Sequence, residues 1–334
     1  MPALSCWDLI ALAVLGTVPL AYAWRRTQGT TLRAPVAWAW LAWMGLMLGE
    51  WLARQSAAGP AAAWRQMAAV GTFCPAMAVL GAKRPQDSGW QFIVASLWLV
   101  LALPALQALA FSPTGLLDPH PAWRGLHVLL LIVAATNYLP TRHGMPALLA
   151  CGVQWRLLHI AAPGETTAWY DRPLFLLCVL LALLVATAVR ERRAARKLEA
   201  TRRHLDSPEA LHLLGWDRVW IDFRNAFGCV WALRVSERIN HAAQQSGARI
   251  ELTWQGFARR PAGAPEAAQE ASPETQALTP SGMSPIRPEE LSELEVTAMQ
   301  MLRRFVSPAW IDARRGVSCA APLQDEAASP ETYA

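Results

Sequence analysis

Ionisable side chains inside long apolar runs are costly, so the few found there are the first candidates for chemistry. Glu50 and Arg54 stand one helical turn apart near the end of an apolar run, and Arg65 lies near the start of the next. His127 lies near the start of a later run, and Arg156 and His159 near the end of the run after that. The turn between those two runs centres on Arg142, fifteen residues after His127 and seventeen before His159. On antiparallel helices this spacing puts both imidazoles at similar depth, as a bis-histidine haem site requires. Glu50, Arg54 and Arg156, with Trp123, Trp155 and Trp169 nearby, outline an outward-facing ligand pocket. The plainer reading is that all of these groups lie within two turns of the water interface. There they can snorkel at little cost, and no cofactor is required.

Motifs of ordinary enzymes are absent. There is no Walker loop, no G-x-G-x-x-G, no H-E-x-x-H and no G-x-S-x-G. The six cysteines are isolated and form no C-x-x-C pair, which argues against a zinc site or a disulfide framework. Gly45 and Gly49 form a G-x-x-x-G that permits close helix approach, either within the chain or in a homo-oligomer. Asn137, Gln107 and Gln154 read as interhelical hydrogen-bonding groups.

The elements that position these residues follow from an uneven distribution of charge. The chain has 334 residues, 54% hydrophobic and 16% charged, yet residues 1–189 carry only 11 of the 30 Lys+Arg and 6 of the 25 Asp+Glu. A helix needs about 20 apolar residues to cross a bilayer. Seven runs qualify or come close: Leu4–Trp24, Pro35–Ala53, Ala61–Ala82, Trp90–Phe111, Gly125–Leu139, Met145–Ala161 and Pro173–Val189. The expected fold is all-α and integral to the membrane, a seven-helix bundle followed by a small α-rich (α+β) tail domain. Short loops carrying Arg25, Arg26, Arg33, Lys83, Arg84 and Arg142 alternate with loops poorer in basic residues. The positive-inside rule then puts the N-terminus outside and the tail in the cytoplasm of a bacterial-type inner membrane.

The tail divides further. Residues 190–207 read as a basic juxtamembrane helix, and 208–257 as an amphipathic helix followed by a strand. In that unit Trp220, Phe223, Phe227 and Trp231 form an apolar stripe at spacings of three and four, a candidate docking face for a cytoplasmic protein partner. An alternative puts Val219–Phe223 on a strand. Residues 258–288 are a Pro- and Ala-rich linker expected to be disordered, 289–312 a last amphipathic helix, and 313–334 a disordered tail. Tail charge is balanced, which argues against nucleic-acid binding.

The string Trp220-Ile221-Asp222-Phe223-Arg224-Asn225-Ala226-Phe227-Gly228, with Trp231–Val235, Glu237–Asn240, Leu252–Phe257 and Arg303–Pro308, resembles the tails of uncharacterised bacterial multi-pass membrane proteins. The resemblance covers mainly residues 215–257 and 290–312 and implies no activity. The expected role is a non-enzymatic membrane anchor or sensor whose tail docks a partner. The alternatives are a haem-handling protein using His127 and His159, and a small-solute transporter.

Overall fold

A computed structural model describes residues 6–84, 87–111, 120–159, 173–203, 208–248, 250–259 and 288–316. Helices α1 (Cys6–Arg26), α2 (Arg33–Gln55), α3 (Ala58–Gly71), α4 (Cys74–Leu80), α5 (Asp87–Phe111), α6 (Pro121–Tyr138), α7 (Gly144–His159) and α8 (Pro173–Arg203) form an apolar bundle. Helix α9 (Pro208–Gln245), strands β1 (Ile250–Thr253) and β2 (Gly256–Arg259), and helices α10 (Pro288–Leu302) and α11 (Pro308–Arg315) form a C-terminal unit. Among the described residues the fold is all-α apart from one two-stranded antiparallel hairpin, whose register pairs Ile250 with Arg259 and Thr253 with Gly256.

Among the described residues three helices are long and apolar enough to cross a membrane: Trp7–Arg26, Arg33–Gln55 and Ser88–Phe111. Their outward faces suit a lipid solvent. Trp7, Val18, Phe92 and Phe111 are each at least 65% exposed, while among the described side chains of the C-terminal unit the large exposed hydrophobics are Leu233 and Val296. The third expected run, Ala61–Ala82, is not one helix. It breaks at Thr72–Phe73 into α3 and α4. Pro75 has no N–H to give the Gly71 carbonyl, and its ring would clash with that carbonyl in an unbroken helix.

The C-terminal unit keeps the expected amphipathic helix and departs from expectation in three places. The amphipathic helix begins at Pro208 and includes Val219–Phe223, which excludes the strand alternative. It bends at Gly228, whose φ of 81° and ψ of −179° are not helical. The strand extends into a hairpin, so residues 258 and 259 belong to β2 rather than to the linker. The last helix is two helices. After Leu302 the chain turns, and Ser307 caps α11 by accepting from the Trp310 N–H. Thus 313–315 are helical, with Gly316 as a left-handed C-cap. The rest of the linker and of the terminal tail lies outside the described residues.

The unit sits on one end of the bundle. Thr31 N–H donates to the Phe305 carbonyl at 2.9 Å, Ser307 N–H to Gly29 at 2.6 Å, and Arg84 N–H to Arg304 at 2.9 Å. Thr30 and Val306 form an antiparallel bridge. Trp231 Nε1 donates to Val79 at 2.9 Å, and Trp254 Nε1 to Pro140 at 3.2 Å. The α1–α2, α4–α5 and α6–α7 loops therefore share the face that carries the unit.

Candidate functional site at the bundle–unit boundary

A cavity of about 560 Å³ lies where bundle and unit meet. That is within the range of about 300–1,000 Å³ typical of small-molecule sites. Its bundle wall is apolar and includes Val36, Ala76, Ala134, Ala150, Leu180 and Leu184, from five helices. Its other end is polar, with Arg26, Arg142, His143 and Glu191 from the bundle and Asp222, Asn225 and Arg314 from the unit.

These groups form one chain of ion pairs. Glu191 meets Arg26 Nη1 at 2.5 Å, Arg142 Nη2 at 2.6 Å and His143 Nε2 at 3.0 Å. Asp222 meets Arg142 Nη2 at 3.5 Å and Arg314 Nε at 3.0 Å. Four helices and the α6–α7 loop are thereby joined through two carboxylates. Glu191 lies two residues beyond the apolar run of α8. Burial alone would raise its carboxyl, but the His143 hydrogen bond and the charges of Arg142 and Arg26 outweigh burial and hold it at about 2. Burial pushes the Arg314 guanidinium down to about 10, against the pull of Asp222. Arg314 also lies over the Trp310 ring at 3.6 Å from its centroid.

The backbone on either side of the cavity is fixed by α6. Asn137 Oδ1 accepts from Val230 N–H at 3.1 Å, so this buried amide caps the second half of α9 just beyond the Gly228 bend. A Cβ at Gly228 would overlap that amide. Tyr138 donates to the Ala226 carbonyl at 3.3 Å. Asn225 Oδ1 accepts from Arg142 N–H and from Arg224, both at 3.3 Å.

The sequence-derived candidates fall elsewhere. Glu50 is buried at the other end of α2, where it pairs with Arg54 Nε at 3.1 Å and Arg65 Nε at 2.8 Å. This compensates the buried carboxylate with two guanidiniums. Arg156 is exposed on α7. His127 is buried on α6 with its ring 5.8 Å from that of Phe73, nearly parallel. His159 ends α7 and its side chain lies outside the described residues. Glu50, Arg54, Arg156 and His127 do not line the cavity. Among the described residues no cluster of three or more His, Cys, Asp or Glu could hold a metal ion. Gly49 is used within the chain, because a Cβ there would meet Ala68 of α3, whereas Gly45 faces open space. The two glycines therefore do not offer a single free face for a homo-oligomer.

The docking stripe needs a correction. Trp220, Phe223, Phe227 and Trp231 are buried inside the unit, at 2%, 0%, 0% and 7% exposure. Phe305 packs edge-on against Phe223, Phe227 and Trp231 at 5.3, 5.4 and 4.9 Å. The stripe is covered by the chain's own α10–α11 turn, because that turn supplies the large apolar side chains the stripe needs to leave water.

Sequence reasoning missed Glu191, Asp222, Asn225 and Arg314 as site residues. Glu191 is one of two acids, with Glu199, among the seven basic residues of 190–203, and it is the one nearer the end of the apolar run; that position was the available signal. The chain matches no protein-family model, no curated protein and no solved structure.

Proposed function

We propose that the chain is a seven-span, non-enzymatic protein of the bacterial inner membrane, and that it reports occupancy of the boundary cavity through its cytoplasmic unit. In this reading α3 and α4 together make one interrupted span, and α6, α7 and the first half of α8 are spans too. At 1.5 Å per residue α6 is about 27 Å long and α7 about 24 Å, short of a 30 Å hydrocarbon core by an amount that modest local thinning accommodates. Support for the orientation, N-terminus outside and unit in the cytoplasm, comes from one coincidence: the loops that touch the unit are those rich in Arg and Lys. Cysteines placed at Gln28, Gln55 and His120 check it. An impermeant thiol reagent applied to intact cells is expected to label positions 55 and 120 but not 28.

The sensing reading rests on the shared lining. Bundle helices and the unit's Asp222, Asn225, Trp310 and Arg314 enclose the same space, so whatever fills it contacts both. A cytoplasmic partner would then read the unit's position rather than its buried aromatic stripe. Hydrogen exchange on the full chain in nanodiscs tests this. Asp222→Asn is expected to speed exchange of residues 303–316 and 222–231 while α2, α3 and α5 stay protected. A uniform acceleration over the whole chain, or none, would defeat it.

A further inference from the structure

The cavity's lining is segregated in a way that specifies a ligand. Its wall within the bundle presents mainly alanines and aliphatic side chains from α2, α4, α6, α7 and α8, interrupted by Gln154 of α7 and Thr187 of α8. Ala76, Ala134, Ala147 and Ala150 keep that wall clear of bulk. The end beneath the C-terminal unit brings three guanidiniums, Arg26, Arg142 and Arg314, against two carboxylates, Glu191 and Asp222. The balance at that end is therefore positive by one charge, before any protonation of His143.

The cavity also holds buried donors without hydrogen-bond partners among the described residues, at Asn225, Arg142 and, on α7, Gln154 Nε2, while the one such acceptor, Glu191 Oε1, is held by its ion pairs with Arg142 and His143. Asn225 is 1% exposed and lines the cavity. Its Oδ1 accepts two donors, which fixes the amide's orientation, and its Nδ2 has no hydrogen-bond partner among the described residues. The Nε of Arg142, in the same polar end, is likewise buried without a partner. Both are donors. A buried donor calls for an acceptor, and in a site with surplus positive charge an anionic oxygen meets the need best.

From this we infer that the cavity binds an anionic amphiphile, with an oxyanion head against Arg142 and Asn225 and an alkyl chain along the α7–α8 wall. The inference rests on the proposed placement of this end of the bundle at the inner membrane boundary, where such a molecule has both its phases at hand. It names the occupant that the sensing reading leaves unspecified. An amphiphile also suits the geometry, because its head contacts residues of the unit and its chain contacts only the bundle.

Radiolabelled dodecyl phosphate is the probe, added to the full chain in phosphatidylcholine nanodiscs and counted against empty nanodiscs. Saturable binding of one molecule per chain is expected. Inorganic phosphate, which has the head alone, and dodecyltrimethylammonium, which has the chain with the opposite charge, are expected not to compete. Asn225→Leu removes the amide donor and is expected to weaken binding about tenfold or more, the worth of a hydrogen bond to a charged group. Ala150→Phe, which leaves every ion pair in place, is expected to weaken it by filling the chain's space. Both variants are first checked for wild-type thermal unfolding; if one fails, Ala147→Leu stands in for Ala150→Phe, and Asn225→Asp, which removes the donor and keeps the acceptor, stands in for Asn225→Leu. Binding no greater than to empty nanodiscs overturns the inference. Equal competition by inorganic phosphate overturns the alkyl requirement, and equal competition by the cationic amphiphile overturns the anionic head. Hydrogen exchange with the probe separates the two claims. Binding without altered protection of 303–316 keeps the ligand site and removes the sensing role; no binding, with the exchange coupling of Asp222→Asn intact, does the reverse.

Discussion

Glu191→Gln is the sharpest perturbation of the boundary. The side chain is 14% exposed, and its partners Arg26 and Arg142 are 29% and 27% exposed. Its carboxyl lies at about 2 in the folded chain against an ordinary value of 4.5. That difference corresponds to about 3 kcal/mol in favour of the ionised form at neutral pH. Glutamine keeps the size and one acceptor oxygen but removes the charge that balances two guanidiniums. The expected cost is about 2–3 kcal/mol at pH 7, at the lower edge of what breaking a buried ion pair costs. The sign with pH follows from a lowered folded pKa. Glu191's contribution is complete above the unfolded pKa of 4.5 and is lost as pH falls toward 2. The gap between wild type and variant is thus widest at pH 6–7 and closes as pH falls toward 3. Intrinsic tryptophan fluorescence of the full chain in detergent, scanned with temperature at a series of pH values, reads that gap directly. A Tm difference that is absent at pH 7, or that stays constant down to pH 3, would refute the reasoning that Glu191 is the hub of the boundary.

Three further perturbations probe the unit. Gly228→Ala forces a side chain onto φ 81°, ψ −179° and into the Asn137 amide; it is expected to cost about 2–4 kcal/mol, read as a fall in Tm. Phe305→Ala empties the centre of the aromatic cluster and is expected to cost about 3–5 kcal/mol, with limited proteolysis finding residues 303–316 first. Burial, only partly offset by the Phe257 N–H, raises the Asp217 carboxyl from 3.8 to about 6. A raised carboxyl favours the fold below 3.8, and that contribution is lost as pH rises through 6. Asp217→Asn keeps the acceptor for Phe257, so it is expected to unfold at higher temperature than wild type above pH 6, by at most about 3 kcal/mol, and to show no gain at pH 4.

Helical elements were legible wherever apolar periodicity ran unbroken. The expected runs Leu4–Trp24, Pro35–Ala53 and Trp90–Phe111 correspond to α1, α2 and α5, and α8 continues past Val189 through the basic segment to Arg203. The stripe from Trp220 to Ala242 was equally plain, but its bend was not. Phe227 and Trp231 keep a four-residue spacing across Gly228, so periodicity gives no sign of the break that Asn137 of α6 caps. The Leu302–Pro308 turn was hidden for a related reason: Phe305 continues the stripe of α10 in sequence, while in space it packs into α9.

Composition and periodicity depend on neighbours within a turn or two, and they sufficed for the segregation of charge, the apolar helices and the aromatic stripe. The site depends on pairs far apart in the chain. Arg26 and Glu191 are separated by 165 residues, Arg314 and Asp222 by 92, and Arg142 and Glu191 by 49. Taken in sequence, Arg26, Arg142 and Glu191 are ordinary charges beyond the ends of apolar runs, and Asp222 and Arg314 are ordinary charges of the amphipathic helices of the tail. Packing of α1, α8 and the α6–α7 loop within the bundle, and of α9 against α11 within the unit, brings them within ion-pair distance, and the seating of the unit adds Arg142–Asp222; a Coulomb interaction strong enough to shift a carboxyl to about 2 requires both a short separation and exclusion of water. Tertiary packing alone supplies those two conditions.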